Sequence, residues 1–202
     1  MKINLLNGTV DLRKQRYPDS EMHILFAGDV CPRFRTEKII LEGQSNRIIE
    51  PAASAFFNKD ISIINLETPL TNSDKGIIKT GPVIKVDPYC VNFLKAAKID
   101  VCNLANNHIG DYGSESVLET IELLKQNDIE FVGAGPDLQD ARKPLFLFKN
   151  GLRAAVLSYA ENEFGGAEKN KPGSSTLCPI QSINQVKEVS SQADITIVLN
   201  GT

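Results

Sequence analysis

The sequence predicts an α/β fold, a largely parallel sheet covered by helices with one antiparallel section, and three observations predict it. Apolar runs of strand length recur, and each stops on polar side chains. Segments with helical spacing of apolar residues fall between those runs, and strand, helix, strand in steady order calls for parallel crossovers. Finally, Asn150-Gly151 joins two apolar runs, the dipeptide that best accommodates the positive φ angles of a tight hairpin.

Taken in chain order, HILFAGD from His23 reads as a buried strand stopped by Gly28, and ISIINLE over 61–67 repeats the pattern. Both runs end on an acid. In IDVCNLANNH the apolar stretch over 99–104 gives way to Asn106, Asn107 and His108. Helices are expected over 45–57, 88–98 and 114–127; in the last, Val117, Leu118, Ile121 and Leu124 keep helical spacing, and the Ser114 hydroxyl is placed to cap the first turn. Strands follow over 130–133, 145–148 and 152–159. The Gly-, Lys-, Asn- and Ser-rich stretch 161–178 reads as a surface loop or flexible lid. A helix over 183–192 then feeds a strand over 194–199.

With 202 residues the chain is long enough for one large domain, divided here into an N-terminal extension over 1–22 and a domain over 23–202. Hydrophobic residues at 42% and charged residues at 23% fit an ordinary globular protein. The 22 Lys and Arg against 25 Asp and Glu leave a net charge of -3, which offers no basic excess for a phosphate backbone, so nucleic acid is not an expected partner. No apolar run approaches the roughly 20 residues of a bilayer crossing. The first twenty residues lack the apolar core and cleavage site of a secretory signal, which reads as a cytoplasmic start or a mature fragment. Cys31, Cys90, Cys102 and Cys178 lie far apart and read as reduced, mostly buried thiols.

Chemistry concentrates where the strands end. In an α/β sheet, ligands sit at the carboxyl ends of strands, and Asp29, Glu67, Asn107 and His108 each follow one, with Asn65 and Asn106 flanking them. Carboxylate, amide and imidazole donors suit Mn, Mg, Zn or Fe rather than a thiolate-bound ion. A dication held there lowers the pKa of bound water, which opens a route to hydrolysis. Each residue alone also has a structural explanation: Asp29 as a turn acid, Asn106 and Asn107 as left-handed turn residues, His108 as a hydrogen-bonded ring. Three strand ends carrying acid, acid and Asn-Asn-His favour the joint reading.

FAGDV at 26–30, NLETPLT at 65–71, NLANNHIGDYG at 103–113 and VGAGPDLQDARKP at 132–144 resemble, in order and spacing, the CapA family of poly-γ-glutamate capsule synthesis proteins, over 23–199. The resemblance implies a calcineurin-like metallophosphoesterase fold, a sheet sandwich flanked by helices, with a divalent metal or two ions about 3.5–4 Å apart. It further implies Asp29, Glu67 and Asn107 as metal ligands, Glu67 in the bridging place if two ions bind, and His108 with Asn107 as the catalytic groups at the substrate. Asp111 and Tyr112 would support the loop. Arg33 and Arg35 read first as solvated surface side chains and second as partners for an anionic substrate.

The family's later histidine blocks have no counterpart before Thr202, so the expected domain is cut short on its C-terminal side. Three readings follow: a factor of capsule or poly-γ-glutamate assembly, a soluble metal-dependent phosphoesterase, or a binding module without the late ligands. The expected partners are an anionic polymer or a phosphorylated small molecule, membrane-bound capsule synthesis proteins, and further copies of the chain through open strand faces. Relatives anchored outside the cytoplasm are part of what the resemblance implies.

Overall fold

The computed structural model describes residues 2–4, 9–11 and 20–201, so most of the extension expected over 1–22 lies outside the described residues. Strand β1 (Lys2–Asn4) pairs antiparallel with β2 (Thr9–Asp11). The chain then runs through β3 (Ile24–Val30), α1 (Arg35–Leu41), α2 (Asn46–Ile49), α3 (Ala53–Phe57), β4 (Ile61–Leu66), α4 (Val91–Ala96), β5 (Val101–Asn103), α5 (Gly113–Gln126) and β6 (Glu130–Val132). After these come β7 (Ala134–Gly135), α6 (Leu138–Ala141), β8 (Leu145–Lys149), β9 (Leu152–Ala160), β10 (Gly173–Ser174), α7 (Pro179–Ser190) and β11 (Ile195–Gly201).

Among the described residues, β3, β4, β5 and β6 form an all-parallel sheet in that order, and β11, β9 and β8 form a second sheet in which β9 runs parallel to β11 and antiparallel to β8. Alternation along the strands explains why the two sheets stack. Ile61 and Ile63 of β4, with Val101 and Val132, face Val156, Leu145, Leu147, Ile197 and Leu199 of the second sheet. Ile64 and Leu66 point the other way, into a core shared with α1, α2, α4 and α5 through Ile40, Ile49, Leu94, Val117 and Leu124. On the far side Ala155, Leu157 and Tyr159 of β9 pack against Val189 of α7. The order of layers is helices, sheet, sheet, helix. Since each fully buried aliphatic side chain contributes roughly 1.5–3 kcal/mol, the layer between the sheets fixes their strand ends relative to one another.

The Asn-Gly hairpin forms as its chemistry requires: Asn150 and Gly151 take φ of 52° and 77°, and β8 and β9 pair on either side. Several expectations need correction. The helix over 45–57 is interrupted, because Pro51 sits in a 3-10 turn (Glu50–Ala52) that separates α2 from α3. The helix over 88–98 opens with a 3-10 turn (Pro88–Cys90) whose cap is the Asp87 carboxylate. Ser114 caps nothing: α5 already begins at Gly113, with φ of 77°, and Ser116 bonds back to the carbonyls of Gly113 and Ile109. Gly133, with φ of 90°, splits the strand over 130–133 from β7. Helix α7 starts at Pro179 rather than 183.

The stretch 161–178 is not a free lid. Ala167, Ser174 and Ser175 are buried, β10 pairs with β7, and the Ser175 amide donates to Gly133 O at 2.8 Å. Arg142 of the 132–144 motif secures it, donating to Thr176 O at 2.8 Å and to Ser182 Oγ at 3.1 Å. Of the four thiols, Cys90 and Cys102 are buried, whereas Cys31 is exposed and Cys178 half-buried. No helix among the described residues is long and apolar enough to cross a membrane.

Candidate metal centre

Asp29 lies inside β3 rather than beyond its end. The register between β3 and β4 slips between Ala27 and Asp29, with Gly28 as the extra residue, and this bulge sets Asp29 opposite Asn65. Asn65 is the hub. Its Oδ1 accepts from Asn103 Nδ2 at 3.0 Å and from Asn106 Nδ2 at 3.2 Å. With the oxygen thus occupied, both amide hydrogens turn outward, one to Asp29 Oδ1 at 2.8 Å and the other to Glu67 Oε2. Two carboxylates from neighbouring strands are therefore drawn onto one amide.

That proximity has an electrostatic cost. Burial, and then the negative charge of Asp29, push the Glu67 carboxyl up to about 7, against the opposing pull of the Asn65 hydrogen bond and the Lys79 ammonium. Asp29 itself is exposed.

The Asn-Asn-His segment divides its work. Asn106, fully buried, spends all its bonding capacity on the fold: Nδ2 also donates to Leu66 O at 2.9 Å, and Oδ1 accepts from the amides of His108 and Ile109 at 3.1 and 2.9 Å. It is a brace and has nothing left for a ligand. Asn107 differs, because its Oδ1 is buried with no hydrogen-bond partner among the described residues, which in a native fold calls for a specific reason. His108 Nδ1 lies 2.7 Å from Asp111 Oδ2, a distance that fits an Nδ1–H donor and leaves Nε2 as the acceptor. Asp111 is fully buried and also accepts from the Ile84 amide at 2.7 Å.

Three participants carry no signal of their role in the sequence: Lys79, Asn103 and Ser158. Lys79, whose side chain is 2% exposed, forms an ion pair with Asp111, donates to Asn107 O at 3.0 Å and lies 3.1 Å from His108 Nδ1. It sits in a polar run without any pattern. Asn103 is the last residue of β5, where an apolar run hides it; its Oδ1 accepts from Ala105 N at 3.0 Å and from Ser158 Oγ at 2.5 Å. That last bond ties the carboxyl end of β9 to that of β5. Close backbone approach completes the junction. A Cβ on Gly201 would collide with Ala105 O, and a Cβ on Gly110 would lie 2.7 Å from Gly165 Cα, so both glycines are required by the packing around the Asn-Asn-His loop.

Among the described residues, no three His, Cys, Asp or Glu side chains come close enough to hold an ion by themselves. The oxygen donors are two carboxylates plus amides. Asp29 Oδ2 and Glu67 Oε1 take no hydrogen bond from a described side chain, and Asn107 Oδ1 has no partner. The raised Glu67 carboxyl, drawn with the Asp29 carboxylate onto one amide, fits a hard divalent cation, for which oxygen donors and residual negative charge are the requirement.

Two stacked sheets whose strand ends gather acids and amides at one junction define an α/β protein with a polar site between its sheets. The chain belongs to the family described as bacterial capsule synthesis protein PGA_cap, whose model matches residues 23–200. Among its relatives, a PGA biosynthesis protein CapA of Bacillus subtilis is 31% identical over 192 residues, covering 90% of this chain and 49% of that protein. A capsule biosynthesis protein CapA of Bacillus anthracis is 25% identical over 189 residues, covering 89% of this chain and 46% of that protein. A probable polyglutamine synthesis accessory protein of Mycobacterium tuberculosis is 30% identical over 137 residues, 65% of this chain and 35% of its own length. The chain thus spans about half the length of the Bacillus relatives or less. A crystal structure of a phosphatase of Mycoplasma pneumoniae overlays with a TM-score of 0.48 at 15% identity, over 90% of this chain and 56% of that one.

Proposed function

We propose that this chain carries a divalent-metal site serving poly-γ-glutamate or related capsule biosynthesis, in the manner that its family membership suggests. Asp29 and Glu67 would hold the metal, with Asn107 Oδ1 as the neutral ligand; Asn65, Asn106 and Asp111 orient them. The observation that carries the reading is the convergence of two carboxylates on the Asn65 amide, and Asn107, in the loop that follows β5, adds an amide oxygen that no described group satisfies. A bound dication would neutralise the carboxylate pair and polarise an oxygen of the substrate. His108 would meet that substrate through Nε2, since Nδ1 is engaged by Asp111, and Asp111 keeps the ring in one orientation. The capsule polymer is rich in carboxylates, which suits a site that presents positive charge once loaded.

Metal-dependent phosphoester hydrolysis is the alternative chemistry for the same ligands. The full-length protein decides between them. Loss of polymer production on Asp29→Ala, without turnover of phosphomonoesters or phosphodiesters in the presence of Mn, supports the capsule role. Turnover that disappears with Asp29→Ala assigns a phosphoesterase. Polymer production and metal binding both unaffected by Asp29→Ala would refute the site.

A further inference from the structure

The segment that leaves β3 immediately after Asp29 carries an unexplained distortion. Phe34, the residue before α1, has φ of 56° and ψ of -118°. A bulky aromatic rarely occupies positive φ, and such conformations persist where the surrounding structure enforces them, most often at functional sites. Nothing about folding rewards this one. The ring is 78% exposed, so it adds little to the core, and its side chain makes no capping bond to α1.

The ring does have one close companion. The guanidinium of Arg33 lies 4.5 Å from its centroid, stacked on its face. Arg33 is half-buried, and among the described residues it forms no ion pair with any carboxylate. Its turn is closed by the Arg33 amide donating to Cys31 O at 2.8 Å. The turn begins two residues beyond Asp29, at the end of β3. Glu67 is also tied to it through the backbone, its amide donating to Val30 O at 3.1 Å.

A guanidinium with no carboxylate partner among the described residues, fixed against an aromatic face, keeps its fork of N–H donors directed and partly desolvated, at little further entropic cost on binding. We propose that the Arg33-Phe34 turn is a specificity element that receives an oxyanion, carboxylate or phosphate, of the substrate and presents it to the Asp29–Glu67 site. The proposal rests on the reading of that site as the place of reaction. The strain at Phe34 holds the ring out toward solvent, where it backs the guanidinium on one side and leaves the other for the ligand.

The test uses calorimetric titration of the chain, with and without Mn, against two probes: inorganic phosphate and a γ-linked tetraglutamate. The parent chain is expected to bind at least one of them, and which one it binds identifies the oxyanion. Arg33→Ala should weaken that binding about tenfold or more, and Arg33→Lys should fall between, because a charge is kept but the fork is lost. Phe34→Gly should weaken binding while raising Tm by roughly 2–4 °C, through relief of the backbone. A purely structural Phe34 would give the opposite pair, lower Tm and unchanged affinity. Mn affinity measured alone should be unchanged or stronger in Arg33→Ala, since a neighbouring cation has gone. Absence of binding to both probes by the parent chain, or affinities within twofold across the variants, would overturn the proposal. If Mn is not bound and Arg33→Ala still weakens the oxyanion, the metal reading fails while this inference stands.

Discussion

Replacing Lys79 with Met isolates the largest electrostatic dependence in the site. The Lys79 side chain is 2% exposed and that of Asp111 0%, so the substitution leaves a carboxylate in the interior without its counter-ion. Breaking a buried pair in this way costs about 3–5 kcal/mol. Asp111 keeps the bonds from the Ile84 amide and from His108 Nδ1, both at 2.7 Å, which places the expected loss near the lower end, about 3 kcal/mol. For a chain of this size that corresponds to a fall in Tm of roughly 6–12 °C. Urea unfolding of Lys79→Met, Asp111→Asn and the double variant measures it directly. The double variant should recover at least about 2 kcal/mol relative to the sum of the single losses, because neither buried charge then remains. A loss below about 1 kcal/mol in Lys79→Met, with no recovery in the double variant, would refute the claim that this pair is electrostatically coupled.

The pH dependence of the metal-free chain follows from Glu67. Its carboxyl is raised from 4.5 to about 7, so the folded state binds the proton more tightly than the unfolded state, and stability from this group is lost as pH rises from about 4.5 to about 7. That gap amounts to a ceiling of roughly 3 kcal/mol, reduced to about 1–2 by partial exposure to solvent. After treatment with chelator, Glu67→Gln should be more stable than the parent by that amount at pH 8 and close to equal at pH 4.5; lower stability of the Gln variant at pH 8 would contradict this. Gly133→Ala would bring a Cβ to 2.6 Å from Ala105 Cβ and 3.0 Å from Asn103 Oδ1 at φ of 90°. Thermal unfolding should therefore register a loss of about 2 kcal/mol or more, and an unchanged Tm would mean that the β5–β6 junction yields freely.

The parts of this fold written in local pattern were legible. ISIINL is buried on both faces as a run of that kind must be in a parallel sheet, and Asn150-Gly151 formed its hairpin because few other dipeptides take two positive φ angles cheaply. Misreadings arose where one composition serves two physical ends. The glycines and serines of 161–178 suggested mobility, yet Gly165 and Gly173 are there because backbone passes too close for a side chain, and Ser174 and Ser175 are buried. The site was legible as residue types at strand ends, since Asp29, Glu67 and the Asn-Asn-His block each follow an apolar run. Its connections were not: no local signal reveals that Lys79 meets Asp111 across 32 positions, that Ser158 of the other sheet orients Asn103, or that a bulge at Gly28 turns Asp29 toward Asn65.

The roles proposed for Asp29, Glu67 and Asn107 require a dication bound among them. Titration of the chelator-treated chain with Mn, followed by calorimetry and by the paramagnetic relaxation of His108 and Asn65 resonances, should give saturable binding that is lost in Asp29→Ala and Glu67→Gln and retained in Arg35→Ala on α1. Absence of saturable binding by the folded parent chain, or binding that survives both ligand substitutions, would contradict those roles.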